Sequence, residues 1–546
     1  MTQDETIITV TPGHLGLPHK VWRPSQYLAY KKVLGVHEEG GGTIILELAA
    51  GVGKSAVSTA LSASAPVTAL VQNLGLLDQY ASMYGFDIVK GKNEYDCVLK
   101  PKVESWFSLA GTLPKASDCH FSNMRECPSS NSCPYLIARN KMLLSKKGAC
   151  TYRYASLSES VSKREGILVL DECHLSPDEI LSTAKFTMDD GTRKRFNFDD
   201  FPLPMYGEGG DGDILTDEDK GKLIIWLTKC AQLVSNIDLF DTMTPKAAAQ
   251  KRITEELQYG MNILNQNDTL FYTCKLREYA NWNMDKNGLE LCVRPIDPKQ
   301  AVKNLTRNKQ TVMLMSATIG NPAPLAKELG LYDYKFYTYP HPVPIDARPV
   351  YDLHVNKMTK AEIDKNPELY RIQANAIIGF IKKLDPSWRI LIVTSSNKKI
   401  DQLRGFIKER LGDRLFEQPK MKVSERVNGF ISDTTPGKIV VDTIQGFGTG
   451  IDLHDDIARV SIMAGIAYPN PGDRYEQARM SRDGGSAFSF WKAYSGVPQA
   501  TGRVSRGEKT KDGGWLKNVG AIADGSAMSG IAMSHYPIWF KESLVS

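Results

Sequence analysis

Lys54 lies in "ELAAGVGKSA" (47–56), directly after the apolar run 43–48. Gly51 and Gly53, with Val52 between them, allow a tight turn whose backbone N–H groups converge on phosphate oxygens. Lys54 would then reach the β and γ phosphates, and Ser55 would offer its hydroxyl to Mg2+. The G-x-x-x-x-G-K-[ST] pattern is incomplete, because Leu48 stands at its first glycine. Alone, such a loop is also an ordinary glycine turn before a helix. A second stretch, "GILVLDECHL" (166–175), changes the weighting. Four branched apolar residues fit for a buried strand end in Asp171, Glu172, Cys173 and His174. Unpaired buried charge is costly, but a strand's carboxyl end can open into a crevice where a ligand supplies the partner. Asp171 then suits Mg2+ and Glu172 suits a general base for attacking water. Cys173 reads as a packing residue, and His174 as a link from the nucleotide to neighbouring elements.

Arginine's planar fork suits a phosphoryl group in transfer, and the chain has a pair late on. "PQATGRVSRGEKTKDGG" (498–514) spaces Gln499, Arg503 and Arg506 four and three apart, one face of a helix. From spacing alone, a basic surface helix is the bland reading. Upstream, "MLMSATIG" (313–320) ends a buried run in two hydroxyls, and "DTIQGFGTGIDL" (442–453) carries Asp452 behind a glycine-rich turn. A nucleotide gripped from two sides would sit between these halves.

Four of the nine cysteines, Cys97, Cys119, Cys127 and Cys133, fall in one segment, with gaps of 21, 7 and 5 residues. None is C-x-x-C, so a zinc ribbon is not indicated. Spacing leaves zinc, iron–sulfur and plain packing thiols open.

These residues need elements to hold them. Short branched-apolar runs recur at 43–48, 67–71, 167–170, 311–315, 389–394, 438–443 and 459–465, with helical periods between several of them. That alternation predicts parallel α/β sheets. Two blocks break it: residues 90–150, with the cysteines, and residues 180–305, which read as mostly helical. The chain has 546 residues, room for several domains, and a net charge of +5, which permits a polyanionic partner without arguing for one. No apolar run approaches a membrane span, and the start has no secretory pattern, so a cytoplasmic setting (host cytoplasm if viral) is expected.

Taken in order, "RPSQ" (23–26), "AAGVGKSA", "DECH", "MSAT", "GTGID" and "QATGRVSR" resemble a superfamily 2 helicase, most closely its iron–sulfur branch typified by XPD and DinG. The likeness spans nearly the whole chain and extends to the tail "YPIWF" (536–540). It implies two RecA-like motor domains, the first formed by 1–89, 151–179 and 306–340 and the second by 341–546. The first would carry a cluster insert (90–150) and an arch-like helical insert (180–305). The resemblance implies that Gln26 meets adenine, that Lys54, Asp171, Glu172, Arg503 and Arg506 are catalytic, and that His174, Asp452 and Gln499 complete the nucleotide site. "GKNEYDC" (91–97) and "CPYLIAR" (133–139) resemble the segments that carry the first and last ligands of a 4Fe–4S cluster, so the four thiols are expected to hold one. The implied activity is ATP- and Mg2+-dependent 5′ to 3′ movement of a monomeric motor on single-stranded and forked DNA. Gln72, Asn73, Ser395 and Ser396 would touch the strand. The chain departs from the family at Thr449-Gly450-Ile451-Asp452, where Glu-Gly-[Ile/Val]-Asp is usual, at Ala49-Ala50, where Pro-[Ser/Thr] is usual, and in a long insert "MSRDGGSAFSFWKAYSG" before the arginine motif. Rival readings are a translocase that never parts strands, an enzyme acting on RNA, and a binding module with a dead ATP site.

Overall fold

The structure is a computed structural model. It describes residues 10–49, 51–98, 115–119, 127–205, 212–237, 245–277, 288–416, 423–444, 457–504 and 512–545. The expected α/β architecture is present as two parallel sheets. The first is built from β1 (Gly42–Glu47), β2 (Val67–Val71), β3 (Asp87–Val89), β4 (Lys147–Thr151), β5 (Ile167–Asp171), β10 (Thr311–Ser316) and β11 (Lys335–Thr338), in the order β11-β1-β10-β5-β2-β4-β3. The second is built from β12 (Val350–Asp352), β13 (Ile390–Thr394), β14 (Ile439–Thr443), β15 (Val460–Met463), β16 (Val519–Ile522) and β17 (Leu544–Val545), in the order β14-β13-β15-β16-β12-β17.

Parallel strands covered on both faces need apolar residues on both. Period-two alternation then divides each strand between two cores. Ile44 and Leu46 face one cluster, and Ile45 faces the other; Ile167 and Val169 oppose Leu168 and Leu170 in the same way. The first of these clusters continues into the second sheet through Leu391, Val393, Val440 and Met463, so the lobes share an apolar seam.

Register brings the chemistry level. Glu47 at the end of β1 pairs with Ser316 at the end of β10, and Met315 pairs with Asp171 at the end of β5. The three motif-bearing strands therefore finish along one edge, where α/β sheets bind ligands.

The block 180–305 holds the long helices Asp217–Ser235 and Pro245–Gln266, and also a sheet that the helical reading leaves out. β6 (Phe186–Asp189), β7 (Asp213–Ile214), β8 (Leu270–Arg277) and β9 (Gly288–Pro295) form an antiparallel sheet in the order β6-β9-β8-β7. Among the described residues, no helix is long and apolar enough to cross a membrane.

Candidate functional site

The loop after β1 turns on two glycines with left-handed backbone, Gly51 at φ +78° and Gly53 at φ +90°. A Cβ at Gly53 would also lie 2.3 Å from Gln26 Nε2 and push that side chain off the loop. That amide donates to the Gly53 carbonyl at 3.3 Å, and Gln26 Oε1 accepts from the Arg23 N–H at 3.1 Å. Gln26 is buried and braces the loop directly. Gly53 caps the helix Lys54–Leu61, so Lys54 and Ser55 sit at a helix N-terminus that favours anions.

Lys54 Nζ pairs with Glu172 Oε1 at 3.1 Å. Glu172 adopts φ +49°, a left-handed conformation costing a non-glycine residue about 1 kcal/mol. Asp171 is held more tightly: Tyr80 donates its hydroxyl to Oδ2 at 2.8 Å, and the Glu172 N–H donates to Oδ1 at 2.9 Å. Tyr152 donates to the Asp171 carbonyl at 2.8 Å. Burial pushes the Asp171 carboxyl up to about 6, and the adjacent Glu172 carboxylate adds to this against the opposing Lys54 charge. Burial pushes Glu172 the same way, but the Lys54 ammonium wins and holds it down at about 2. Both carboxylates are thus ionised at pH 7, Glu172 firmly and Asp171 by a small margin that a bound cation would widen. Each Asp171 oxygen accepts one hydrogen bond and keeps a further lone pair, which fits a metal ligand. Ser55 lies close enough to act on the same Tyr80 hydroxyl.

His174 joins the two halves. Its Nδ1 is 2.8 Å from Ser316 Oγ, and its Nε2 is 2.7 Å from Gln499 Nε2. Burial pushes the imidazole down to about 4, with Lys54 and Arg503 adding to that, so it is neutral at pH 7. The amide nitrogen of Gln499 only donates, so Nε2 accepts and the proton sits on Nδ1. Ser316 in turn donates to Glu172 Oε2 at 3.4 Å. A continuous hydrogen-bonded path therefore runs from Gln499 in the second lobe to the carboxylate expected to activate water.

Gln499 lies in the last turn of the helix Gly485–Thr501, and Arg503 in the short turn Gly502–Val504 that follows. The expected continuous helical face thus breaks into helix and turn, yet Arg503 still acts on both Glu172 and His174. Arg506 and Asp452 lie outside the described residues.

The four clustered cysteines come near one another without forming a closed site. An antiparallel bridge between Asp96 and Lys115 folds Cys97 back towards Cys119. The Ser130 N–H donates to the Cys127 carbonyl, and the Cys133 N–H to the Ser130 carbonyl, turning Cys133 back towards Cys127. Burial pushes the Cys127 thiol up, and the Cys119, Cys97 and Cys133 thiols each add to the shift. Among the described residues, no group of three or more His, Cys, Asp or Glu is arranged to hold a metal ion.

Of the residues expected on nucleic acid, Asn73 accepts from the Leu76 N–H at 2.9 Å and Ser396 from the Lys399 N–H at 3.4 Å, so both cap helices. Gln72 and Asn73 also line a cavity of about 1340 Å³, with Lys92, Arg139 and Arg153. Ser395, beside Ser396, is partly exposed at the end of β13.

Tyr80 and Glu47 carry roles that the sequence reading passed over. Glu47 is buried and accepts from the Gly320 N–H at 2.5 Å, tying the strand before the phosphate loop to the turn after β10. Its position, directly before "LAAGVGKS", was the available signal. Tyr80 sits in a helix of ordinary composition and gave none.

Residues 381–516 match the family model of the helicase C-terminal domain. No curated protein matches the chain by sequence. Among solved structures, an XPD helicase is 14% identical with a TM-score of 0.55, over 95% of this chain and 97% of that one. Xpd4 of S. tokodaii is 14% identical with a TM-score of 0.53, over 96% of this chain and 100% of that one. An apo XPD structure is 13% identical with a TM-score of 0.53, over 94% and 97%. The class is thus a protein with the XPD fold, built on two parallel sheets and a smaller antiparallel one, whose second lobe matches the helicase C-terminal domain model. The likeness to the XPD structures shows the fold, and the match to the helicase C-terminal domain model lies within the second lobe.

Proposed function

We propose that the protein is an ATP-dependent DNA helicase that moves 5′ to 3′ on single-stranded DNA and unwinds duplex as a monomeric motor. The observation carrying this reading is the path Gln499–His174–Ser316–Glu172, which ties the second lobe to the water-activating carboxylate of the first. The first motor domain comprises 1–89, 151–179 and 306–340 and the second 341–546, with 90–150 and 180–305 as the cluster and arch-like inserts.

In this reading the phosphate loop and Lys54 bind the triphosphate, whose oxygens compete with Glu172 for the ammonium. Ser55 and Asp171 would hold Mg2+, which neutralises charge on the phosphates. Glu172, once released from Lys54, takes the proton of the attacking water. Arg503, with Arg506 beside it in sequence, stabilises charge on the transferred group from across the cleft. Asp452 couples the second lobe to the nucleotide. Cleft opening and closing then moves the strand through alternate grips, with Gln72 and Asn73 on one lobe and Ser395 and Ser396 on the other. Short polar side chains suit backbone contacts that position without reading sequence.

Cys97, Cys119, Cys127 and Cys133 would hold a 4Fe–4S cluster, which supplies folding energy to an insert with little core of its own. A single tetrahedral zinc, with bonds of about 2.3 Å, needs its sulfurs within roughly 4 Å of each other. Among the described residues no such group is formed, and the iron–sulfur reading rests instead on the likeness of "GKNEYDC" and "CPYLIAR" to the ligand-bearing segments of the iron–sulfur branch.

The test is a strand-polarity unwinding assay on forked duplexes of DNA and of RNA, each strand labelled in turn. The expected result is release from DNA forks bearing a 5′ tail. ATP turnover without strand release would make the protein a translocase, and release confined to RNA would move the substrate class.

A further inference from the structure

Two helices, Arg474–Ser481 and Gly485–Thr501, precede and contain the insert "MSRDGGSAFSFWKAYSG" (480–496). Between them they touch three parts of the molecule. Towards the second insert, Tyr475 donates its hydroxyl to the Pro295 carbonyl at 2.8 Å, and the Arg294 guanidinium stacks 3.4 Å from the centre of its ring. Towards the first lobe, Arg479 pairs with Asp178 at 3.0 Å and with Glu328 at 3.3 Å, and Arg482 also pairs with Glu328. Asp178 belongs to the helix that follows "DECH", and Lys492 binds it as well.

The longer helix is divided between the lobes. Phe488 and Trp491 sit in a core of the first lobe with Ile319, Leu325 and Leu329. Tyr494, Val497 and Ala500 sit in the shared seam, and the Ala500 carbonyl accepts from Ser461 of β15 at 2.7 Å. Trp491 Nε1 donates to the Ile319 carbonyl at 2.8 Å. A second indole, Trp539 in the tail, donates to the Ala317 carbonyl at 2.9 Å. Two buried tryptophans reached from the second lobe thus hold the turn after β10, close to Ser316.

We infer that these helices and the 317–320 turn they grip are the fixed pivot about which the lobes rotate, with Trp491 and Arg479 as positioning residues that set where Gln499 and Arg503 land. This rests on the ATPase reading above. The Glu328 side chain is wholly buried, and Arg479 nearly so. Parting the lobes here would strand buried charges and two buried carbonyls together, the most destabilising kind of loss. On the nucleotide side the contacts between lobes are a neutral histidine, an amide and a guanidinium, groups that a phosphate can exchange with. The cleft therefore opens there and hinges here. Because Gln499 lies two helical turns beyond Trp491, a small shift at the pivot displaces it from His174.

Hydrogen exchange of the full chain, read by mass spectrometry without nucleotide, with a non-hydrolysable ATP analogue and Mg2+, with ADP, and with oligo-dT, tests the inference. Peptides spanning 316–329 and 485–493 should keep their protection within about twofold in every state. Those spanning 51–58 and 497–504 should change with nucleotide. A loss of protection on the order of tenfold or more at 316–329 or 485–493 in any state would overturn the pivot. No response at 51–58 would instead overturn the ATPase reading. Trp491→Phe keeps an aromatic side chain in the core but loses the indole N–H together with the volume of the five-membered ring. Its kcat should fall about tenfold, with KM for ATP held within about twofold, because the phosphate contacts are untouched. An unchanged kcat, or a rise in KM alone, would remove Trp491 as a positioning residue. Should that variant fail to fold, exchange on the unmodified chain still decides.

Discussion

Glu172 holds Lys54 and accepts from Ser316 while its own backbone sits at φ +49°. A strained residue survives where its surroundings over-determine it, and such positions gather at reactive sites. Glu172→Gln should retain ATP binding, measured with a fluorescent analogue, because the loop and Lys54 remain. Phosphate release should fall by about 100-fold or more, the usual worth of a general base; near-normal turnover would remove Glu172 from that role. Glu47 permits a different test. Burial lifts its carboxyl to about 7 from an ordinary 4.5, against the Gly320 and Ile319 amides that favour the charge. Between those values the folded chain keeps a proton that the unfolded chain has released. This group's contribution to stability therefore falls as pH rises through that window and stays low above it. Glu47→Gln should match the unmodified chain in Tm near pH 4.5 and have the higher Tm at pH 8, a stability gain of about 3 kcal/mol at most. A Tm difference that does not vary with pH would show that Glu47 does not titrate as its burial implies.

Legibility varied from element to element for physical reasons. β1, β5, β10, β13 and β14 could be read directly, because strands buried on both faces in a parallel sheet are unbroken branched-apolar runs. β8 and β9 could not. "GLELCVRP" buries alternate positions from Leu291 on, "LFYTCKLR" breaks its buried run at Thr273 and Lys275, and both lie beside long helices whose period dominates the window. Lys54, Asp171, Glu172 and Ser55 were legible because each sits at a strand end or glycine turn close in sequence to its neighbours. The contact between Gln499 and His174 spans 325 residues, so only the motif order hinted at it. Trp491 and Arg479 gave no signal, since their partners Ile319, Glu328 and Asp178 are ordinary residues in ordinary helices and turns. In the cysteine-bearing insert, local turns fold Cys97 back towards Cys119 and Cys133 back towards Cys127, and the proposed cluster rests on motif likeness rather than on those turns. Purified without oxygen, the chain should be brown and carry about four irons, and Cys127→Ser should lose both colour and iron. A colourless protein with stoichiometric zinc would overturn the iron assignment.

Across the whole molecule, charge tests the expected path of the strand. A net charge of +5 over 546 residues is too small to draw nucleic acid to the surface at large. The cavity beside Gln72 and Asn73 is more telling, because its lining mixes signs: Lys92, Arg139 and Arg153 stand against Glu94, Glu159, Glu179 and Glu255. Arg153 is already paired with Glu179, and Arg139 donates to Ser160. A strand threaded here would neutralise few phosphates through lysine and arginine, and would rely on amides, hydroxyls and the ring of Tyr135 for the rest. Each phosphate neutralised on a single strand contributes about −0.7 to the slope of log K against log salt. Binding of oligo-dT should therefore weaken with salt at a slope no steeper than about −2, and Lys92→Ala should flatten it by about 0.7 while weakening mixed-sequence strands equally. Fluorescence anisotropy across a salt series measures both. A slope several times steeper, unmoved by Lys92→Ala, would mean that the strand runs over some other, more basic face, and that the hydroxyl and amide groups at the ends of β2 and β13 only cap their helices.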